Sequence, residues 1–430
     1  MDFPRFKLKL VFWIMGLGLF LALVWNDIQG GILGRTYPYT TFLFIPQVRF
    51  SDFTDALFIS GLSNPYDDPY AFYLPFTWLC LRPLAALPTW LSLLSLLFIT
   101  LSGLVLLLAR CLQPLLPSPR QRVCFAFALV GFSYPVLICV DRGNIEILLA
   151  LLVAGALYCF SRNRYGTGML WLLPAICLKL YPVIFLALLA RQRRMLAVTV
   201  CLAACAILTF LSLNTLALPY RTAWELYQRD LAFFTNTSIS ENLTLEGSAS
   251  PWNAYKVGLL AAADLGWIAP VDFSFGGRLI TISYAFYALG TACFIVGLCV
   301  YVCFLEKEFA RCAAVLLLAV SIATPSGADY RLLYACLALV PLVLLKTKRP
   351  HDLLVLVLVT LTLVPKKEFF LTFAGKTESG FPDVSIQVVL NPLMVFAALL
   401  LLLYDGWPGG DFRWPKLRLL NWRRAIGKWR

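Results

Sequence analysis

Apolar runs long enough to cross a bilayer recur from one end of this chain to the other, and they limit its fold before any motif is considered. Leu10–Trp25, Trp90–Leu108, Cys124–Val140, Ile145–Phe160, Met195–Leu218, Leu279–Phe304 and Val388–Tyr404 are almost free of charge. A hydrocarbon core about 30 Å thick takes roughly 20 residues of helix, because a helix satisfies its own backbone polar groups. Of the 430 residues, 60% are hydrophobic and 14% charged, against about 25% charged in an ordinary soluble domain. Soluble, disordered, collagen-like and disulfide-scaffold classes are therefore excluded. The expected fold is an all-α polytopic membrane protein.

The net charge of +13 follows topology. Basic residues sit in short runs between apolar stretches, the positive-inside pattern, so nucleic acid is not the expected partner. Arg5, Lys7 and Lys9 place the N-terminus in the cytoplasm, and the first run reads as an anchor because many spans follow it. Arg162 and Arg164, Arg191 to Arg194, and Lys307 with Arg311 mark further cytoplasmic turns. Two segments between basic turns are too short for two full spans. Tyr165–Ala190 is interrupted by Pro174, Lys179 and Pro182, and Cys312–Leu345 has Thr324–Arg331 at its apex. Both read as broken hairpins. The count is about twelve crossings, in one domain over residues 1–405. Outer loops are expected near 26–73, 219–278 and 365–387, and a basic, Trp-rich cytoplasmic tail over 406–430.

Thirteen cysteines without a CxxC pair and a single histidine, His351 in a basic run, leave no metal knuckle or multi-histidine centre. No metal and no cofactor is expected. The ionisable residues that need an account are those on the outer side: Asp52, Asp55, Asp141-Arg142 with Glu146, Lys179, Glu241, Glu246, Asp329 and Arg331. Carboxylates near cations at a membrane face suit sugar transfer from a lipid phosphate. A carboxylate takes the acceptor's proton, and cations hold the departing phosphate. Plainer readings stand beside this one. Asp67-Asp68 fits a turn after Asn64-Pro65, Asp141-Arg142 fits a local ion pair capping the helix opened at Asn144, and Glu241, Asn242 and Asn253 fit a polar lid. Lys179, a cation between prolines in an apolar hairpin, has the fewest structural excuses.

Four segments then carry a resemblance. Ser51–Pro88, SDFTDALFISGLSNPYDDPYAFYLPFTWLCLRPLAALP, resembles the first extracytoplasmic loop of glycosyltransferase family 87, polyprenol-phosphate-sugar-dependent enzymes of the GT-C fold. Asp52, Gly61, Asn64-Pro65-Tyr66, Tyr73 with Pro75, and Pro83–Pro88 stand in the family's places. DRGNIEILLALL at Asp141–Leu152 is similar to its Gly-Asn turn, and CLKLYPVIFLALLARQRR at Cys177–Arg194 to its Lys-x-x-Pro hairpin. TPSGADYRLLY sits where many members have Pro-Ser-x-x-His-His, and here Tyr330-Arg331 replaces the histidines.

The resemblance implies an inverting transfer of a mannose-like or other sugar from a polyprenyl-phosphate donor to a lipid-linked or cell-envelope glycan. The site would face the exterior of a bacterial cytoplasmic membrane. Asp52 would be the general base, with Asp55 its rival one helical turn along. Lys179, with Arg142 or Arg331, would hold the donor phosphate. Asn64, Tyr66, Tyr73, Asn144, Tyr181, Glu241, Asn242, Asp329 and Tyr330 are the candidate substrate-binding residues. The rival functions are a lipid-linked oligosaccharide flippase and an O-antigen-type polymerase.

Overall fold

The computed structural model describes residues 3–36, 43, 49–68, 70–216, 218–240, 250–268, 278–324, 329–345, 349–366, 369–372 and 383–406. Helix α1 (Phe3–Asp27) runs on into a π turn, Ile28–Ile32, so the first apolar helix outlasts its expected end at Trp25. In the first long loop, α2 (Ser51–Gly61), a 3-10 turn at Pro65–Asp67 and α3 (Pro75–Ala85) follow. Pro75 opens α3 where an N–H is not needed.

Helix α4 (Thr89–Cys111) shows why the exposed apolar surface is tolerable. Leu93, Leu96, Thr100, Leu104 and Leu108, three or four apart, are buried, while Leu94, Phe98, Ile99 and Leu106 are exposed on the other face. One face meets protein and the other suits lipid. The expected span Cys124–Val140 is instead two helices, α5 (Pro119–Gly131) and α6 (Tyr134–Arg142), bent by 66°. Pro135 has no N–H to continue the ladder, and the Tyr134 N–H turns to the Leu363 carbonyl, 3.0 Å away.

Helices α7 (Glu146–Ser161) and α8 (Tyr165–Leu178) form a tight hairpin. At Lys179 the backbone is extended (φ −147°, ψ 136°), then resumes as a 3-10 turn, Tyr181–Leu186, and α9 (Ala187–Arg191). The first broken hairpin therefore breaks at Lys179, as its prolines predict. Helix α10 (Met195–Asn214) leads to α11 (Tyr220–Ser240) and α12 (Pro251–Asp264) in the second long loop. Helix α13 (Arg278–Val300) ends in a π turn, Tyr301–Leu305. The second broken hairpin is α14 (Phe309–Ile322), a 3-10 turn at Asp329–Leu332, and α15 (Leu333–Val343). Then come α16 (Asp352–Thr362), the antiparallel strands β1 (Phe370–Thr372) and β2 (Asp383–Ser385), with Leu371 opposite Val384, and α17 (Gln387–Gly406).

The core is the α14–α15 hairpin. Every residue from Arg311 to Ile322 is buried, as is nearly all of α15; helices apolar all round belong inside. Among the described residues, α1, α4, α10, α13, α17 and the bent α5–α6 pair are long and apolar enough to cross a membrane. The other six expected crossings fall on α7, α8, the Tyr181–Arg191 arm, α14, α15 and α16, which are 11 to 16 residues long. At the start of α14 a buried ionic lock closes one end of the bundle. Arg311 reaches Asp352 at 2.7 Å and Glu306 at 3.7 Å, and Arg349 grips Glu306 through both nitrogens at 2.9 and 3.1 Å.

Candidate active site

At the other end of α14 the loop helices gather around the α6–α7 turn. Gly143 holds that turn at φ 64°, and a Cβ there would lie 2.7 Å from the Phe53 Cβ. Only glycine combines that backbone with so close an approach of α2. The Asn144 side chain works in both directions. Its Oδ1 accepts the Glu146 N–H at 2.9 Å, and its Nδ2 donates to Asp52 Oδ2 at 2.6 Å. The Phe50 N–H donates to the Asp141 carbonyl at 2.7 Å, and Arg142 Nη1 to the Ser51 hydroxyl at 3.3 Å. Phe50 itself sits at φ 58°, a left-handed backbone that is costly for a bulky residue. These contacts pin the first turn of α2, where the aligned helix dipole favours the half-exposed Asp52 carboxylate.

Across Asn144 lies Glu146, fully buried at the start of α7. Lys179 Nζ is 2.7 Å from its Oε1. The hydroxyls of Tyr181 and Tyr334 donate to Oε2, the latter at 3.2 Å, and lie 2.7 Å from each other. Arg331 Nε stands 3.8 Å from Oε1, and its guanidinium lies over the Tyr181 ring at 5.1 Å. The Lys179 ammonium lies over the Tyr73 ring at 5.0 Å. Two cations thus flank one buried carboxylate. Nε and Nη1 of Arg331 have no hydrogen-bond partner among the described residues, which is costly unless a ligand oxygen meets them.

The expected site residues divide on this geometry. Asp52, Asn144, Lys179, Tyr181 and Arg331 come together, and Tyr73 and Tyr330 lie within electrostatic reach of Asp52, Glu146 and Arg331. Arg142 donates to Ser51 in the α2 clamp, whereas the ion pairs to Glu146 come from Lys179 and Arg331. Asn64 and Tyr66 are buried supports rather than lining. Asn64 caps the 3-10 turn and donates to Asp67 at 2.7 Å, while the Tyr66 hydroxyl donates to the Tyr73 carbonyl at 3.1 Å. Asp329 is buried and accepts from Gln387 at 2.6 Å, which anchors the turn that presents Arg331. Asp55 is exposed on the next turn of α2. Glu241 and Asn242 lie outside the described residues. Sequence reasoning did not place Glu146 and Tyr334 in the site. The signal for Glu146 was a carboxylate opening an otherwise chargeless helix; Tyr334 carried none.

A cavity of 670 Å³ opens beside this cluster, between α12, α13, α14 and α17. Its walls are apolar, with Phe294, Ile295, Ala319, Ile322, Leu393 and Phe396 among them, and Tyr287 on its wall lies within reach of the Arg331 charge. Among the described residues no group of three or more His, Cys, Asp or Glu is placed to hold a metal ion.

Residues 71–325 match the family model for glycosyltransferase family 87. No curated protein and no solved structure matches the chain. The matched segment holds Tyr73, Asn144, Glu146, Lys179 and Tyr181, while Asp52 and Arg331 flank it and join the site through the fold. The match spans more than half of a chain rich in apolar helices, and the polar cluster falls at its turns: this chain belongs to glycosyltransferase family 87.

Proposed function

We propose that the chain is an inverting transferase that moves a sugar from a polyprenyl-phosphate donor to a glycan acceptor on the extracytoplasmic side of a bacterial cytoplasmic membrane. The observation that carries this reading is Arg331. Its two partnerless nitrogens and the charge that Glu146 leaves unneutralised point to an anion, and the apolar cavity whose wall residue Tyr287 is within reach of the Arg331 charge suits an isoprenoid tail. The sidedness rests on the basic turns at the far end of the bundle, which by the positive-inside pattern are cytoplasmic.

The chemistry is a single displacement. Asp52, held by Asn144, takes the proton of the acceptor hydroxyl as its oxygen attacks the anomeric carbon. The bond from that carbon to the phosphate oxygen breaks through an oxocarbenium-like state. The phosphate leaves as a monoester whose new charge is met by Arg331 and Lys179. Glu146 pairs with Lys179 and aims it, with Tyr181 and Tyr334 completing the hydrogen bonds of Glu146. Broken helices with a buried lysine suit the flippase reading, and here that lysine, Lys179, is ion-paired with Glu146.

The test is Asp52→Asn in purified, lipid-embedded protein with a polyprenyl-phosphate sugar. Transfer is expected to fall about 10²- to 10⁴-fold, with donor binding and thermal stability kept. Transfer at the wild-type rate removes Asp52 as base.

A further inference from the structure

The first helix carries an apolar cleft of its own, far from the transfer site. Lys7 Nζ donates to the Leu342 carbonyl at 3.3 Å, so α1 begins where α15 finishes, at the end of the bundle that holds the ionic lock. There α1, the end of α4, α5 and α15 enclose the cleft, with Leu8, Phe12 and Met15 on one wall and Phe125, Leu129 and Phe132 on another. The Phe12 ring lies 5.9 Å from Phe125 and 5.5 Å from Phe132. The open space is 30 Å³, about the share of one water molecule in the liquid, so the cleft admits the edge of a hydrocarbon chain. At Phe12 it meets a wider groove of 440 Å³ that runs past Trp13, Gly16, Leu17 and Phe20. A Cβ on Gly16 would stand 4.0 Å from the Phe132 ring, so the missing side chain leaves the groove open beside the cleft wall.

Both walls lead to arginines. Arg5, Leu8, Phe12 and Met15 recur at the three- and four-residue spacing of one helix face, as do Arg122, Phe125, Leu129 and Phe132. Arg5 Nε reaches the Leu115 carbonyl, in the turn between α4 and α5, at 3.4 Å. Helix α5 opens from that turn, with Arg122 near its start. Arg122 Nε is buried and has no hydrogen-bond partner among the described residues, a cost that a ligand oxygen would remove. Residues 3–26 and 89–131, which supply α1, α4 and α5, contain no Asp or Glu.

We infer that the cleft and groove bind one anionic phospholipid from the leaflet at the lock end, its phosphate at Arg122 and Arg5 and an acyl chain along α1. Leu8 to Phe20 spans about 18 Å of helix, close to half of a hydrocarbon core about 30 Å thick, so the groove has the reach of one leaflet. Basic residues beside transmembrane helices favour anionic headgroups, and a guanidinium makes charge-assisted hydrogen bonds to phosphate. A second copy of the chain fits this face less well. Related by a two-fold axis along the membrane normal, it would bring the same arginines to the same end.

The full chain in detergent micelles, titrated with palmitoyl-oleoyl phosphatidylglycerol or phosphatidylcholine and read by native mass spectrometry, tests this. One phosphatidylglycerol per chain is expected, bound at least about fivefold tighter than phosphatidylcholine. That ratio is about 1 kcal/mol at 1.4 kcal/mol per tenfold, the contribution of one basic residue beside an anionic lipid. Arg122→Gln should cut the preference below about twofold. Arg120→Gln removes the same charge from an exposed position off the lining face and should leave the preference in place. Gly16→Leu, which fills the groove, should weaken both lipids about threefold or more with apparent Tm kept. Equal affinity for the two lipids overturns the site, as does unchanged binding in Gly16→Leu. So do equal losses in Arg120→Gln and Arg122→Gln, which would mean diffuse surface charge, or a dimer that carries no lipid.

Discussion

Glu146 ties Lys179 and Arg331 into one charge unit, so none of the three can be altered alone. Lys179→Met leaves the carboxylate buried with only the more distant Arg331, and breaking such a pair costs about 3–5 kcal/mol. Adding Glu146→Gln removes the stranded charge. The double variant is therefore expected to be more stable than Lys179→Met alone, with a coupling of about 0.5–3 kcal/mol in a double-mutant cycle of apparent Tm in detergent. Additive losses would mean that the two side chains do not share a charge. Arg331→Lys keeps one charge but loses the planar fork that fits phosphate, so the donor KM should rise about tenfold or more while the fold is kept. Much of this site was legible from single residues. Lys179 at its break and Asp52 in the first loop are costly exceptions in an apolar chain, and cost is visible in sequence. Glu146 was marked as a costly carboxylate but not as the hub of the site, because its partners come from two distant stretches of chain, Lys179 with Tyr181 and Arg331 with Tyr334, and only tertiary packing brings them to it.

Elements position these residues, and two joints decide how well. The α6–α7 turn is the first. Gly143→Ala asks for a left-handed alanine and a Cβ 2.7 Å from Phe53. The cost is about 1–3 kcal/mol of backbone strain, and relief comes by pushing α2 outward. Because Asp52 rides on α2, transfer should fall by more than the loss in apparent Tm suggests, and unchanged activity would show that α2 is not held by this turn. The second joint is the lock at the far end. Burial would raise the Glu306 carboxyl, but the Glu308 N–H, Arg349 and Tyr301 outweigh it and hold it below its ordinary value. The folded value being the lower, this stabilisation is fully present above the unfolded value of about 4.3–4.5. It is lost as the pH falls through the folded value. Apparent Tm should therefore drop on acidification below about pH 4.5, and Glu306→Gln should be less stable at pH 7 yet flatter in acid. The sequence marked these helices through hydropathy but drew α5 and α6 as one span. The bend is set by where the Tyr134 N–H goes, to Leu363, a pairing that no local pattern records.

On the scale of the whole molecule, α14 links three regions. Its first turn carries Arg311 of the ionic lock, its last turn supplies Ala319 and Ile322 to the apolar cavity beside the capping Ala323, and the chain beyond it leads to the segment bearing Arg331. The cavity therefore meets the end of α14 that leads toward Arg331, and Tyr287 on its wall is within reach of the Arg331 charge. If the cavity takes the donor's tail, filling it should penalise long donors alone. Gly290 on α13 lines the cavity, and nothing lies within 4 Å of where its Cβ would be. Gly290→Trp therefore adds an indole to the cavity without disturbing α13 and replaces a poor helix former. The expected loss is modest, because a tail leaving the bilayer for the cavity exchanges one hydrocarbon surface for another and gains only packing. A rise of about fivefold in KM for a long polyprenyl-phosphate sugar, near 1 kcal/mol at 1.4 kcal/mol per tenfold, is the expected outcome. A short, water-soluble prenyl-phosphate sugar that ends before Gly290 should change less than about twofold, with kcat preserved for both. Equal effects on the two donors would place the tail elsewhere on the lipid-facing surface and leave the cavity without a role in transfer.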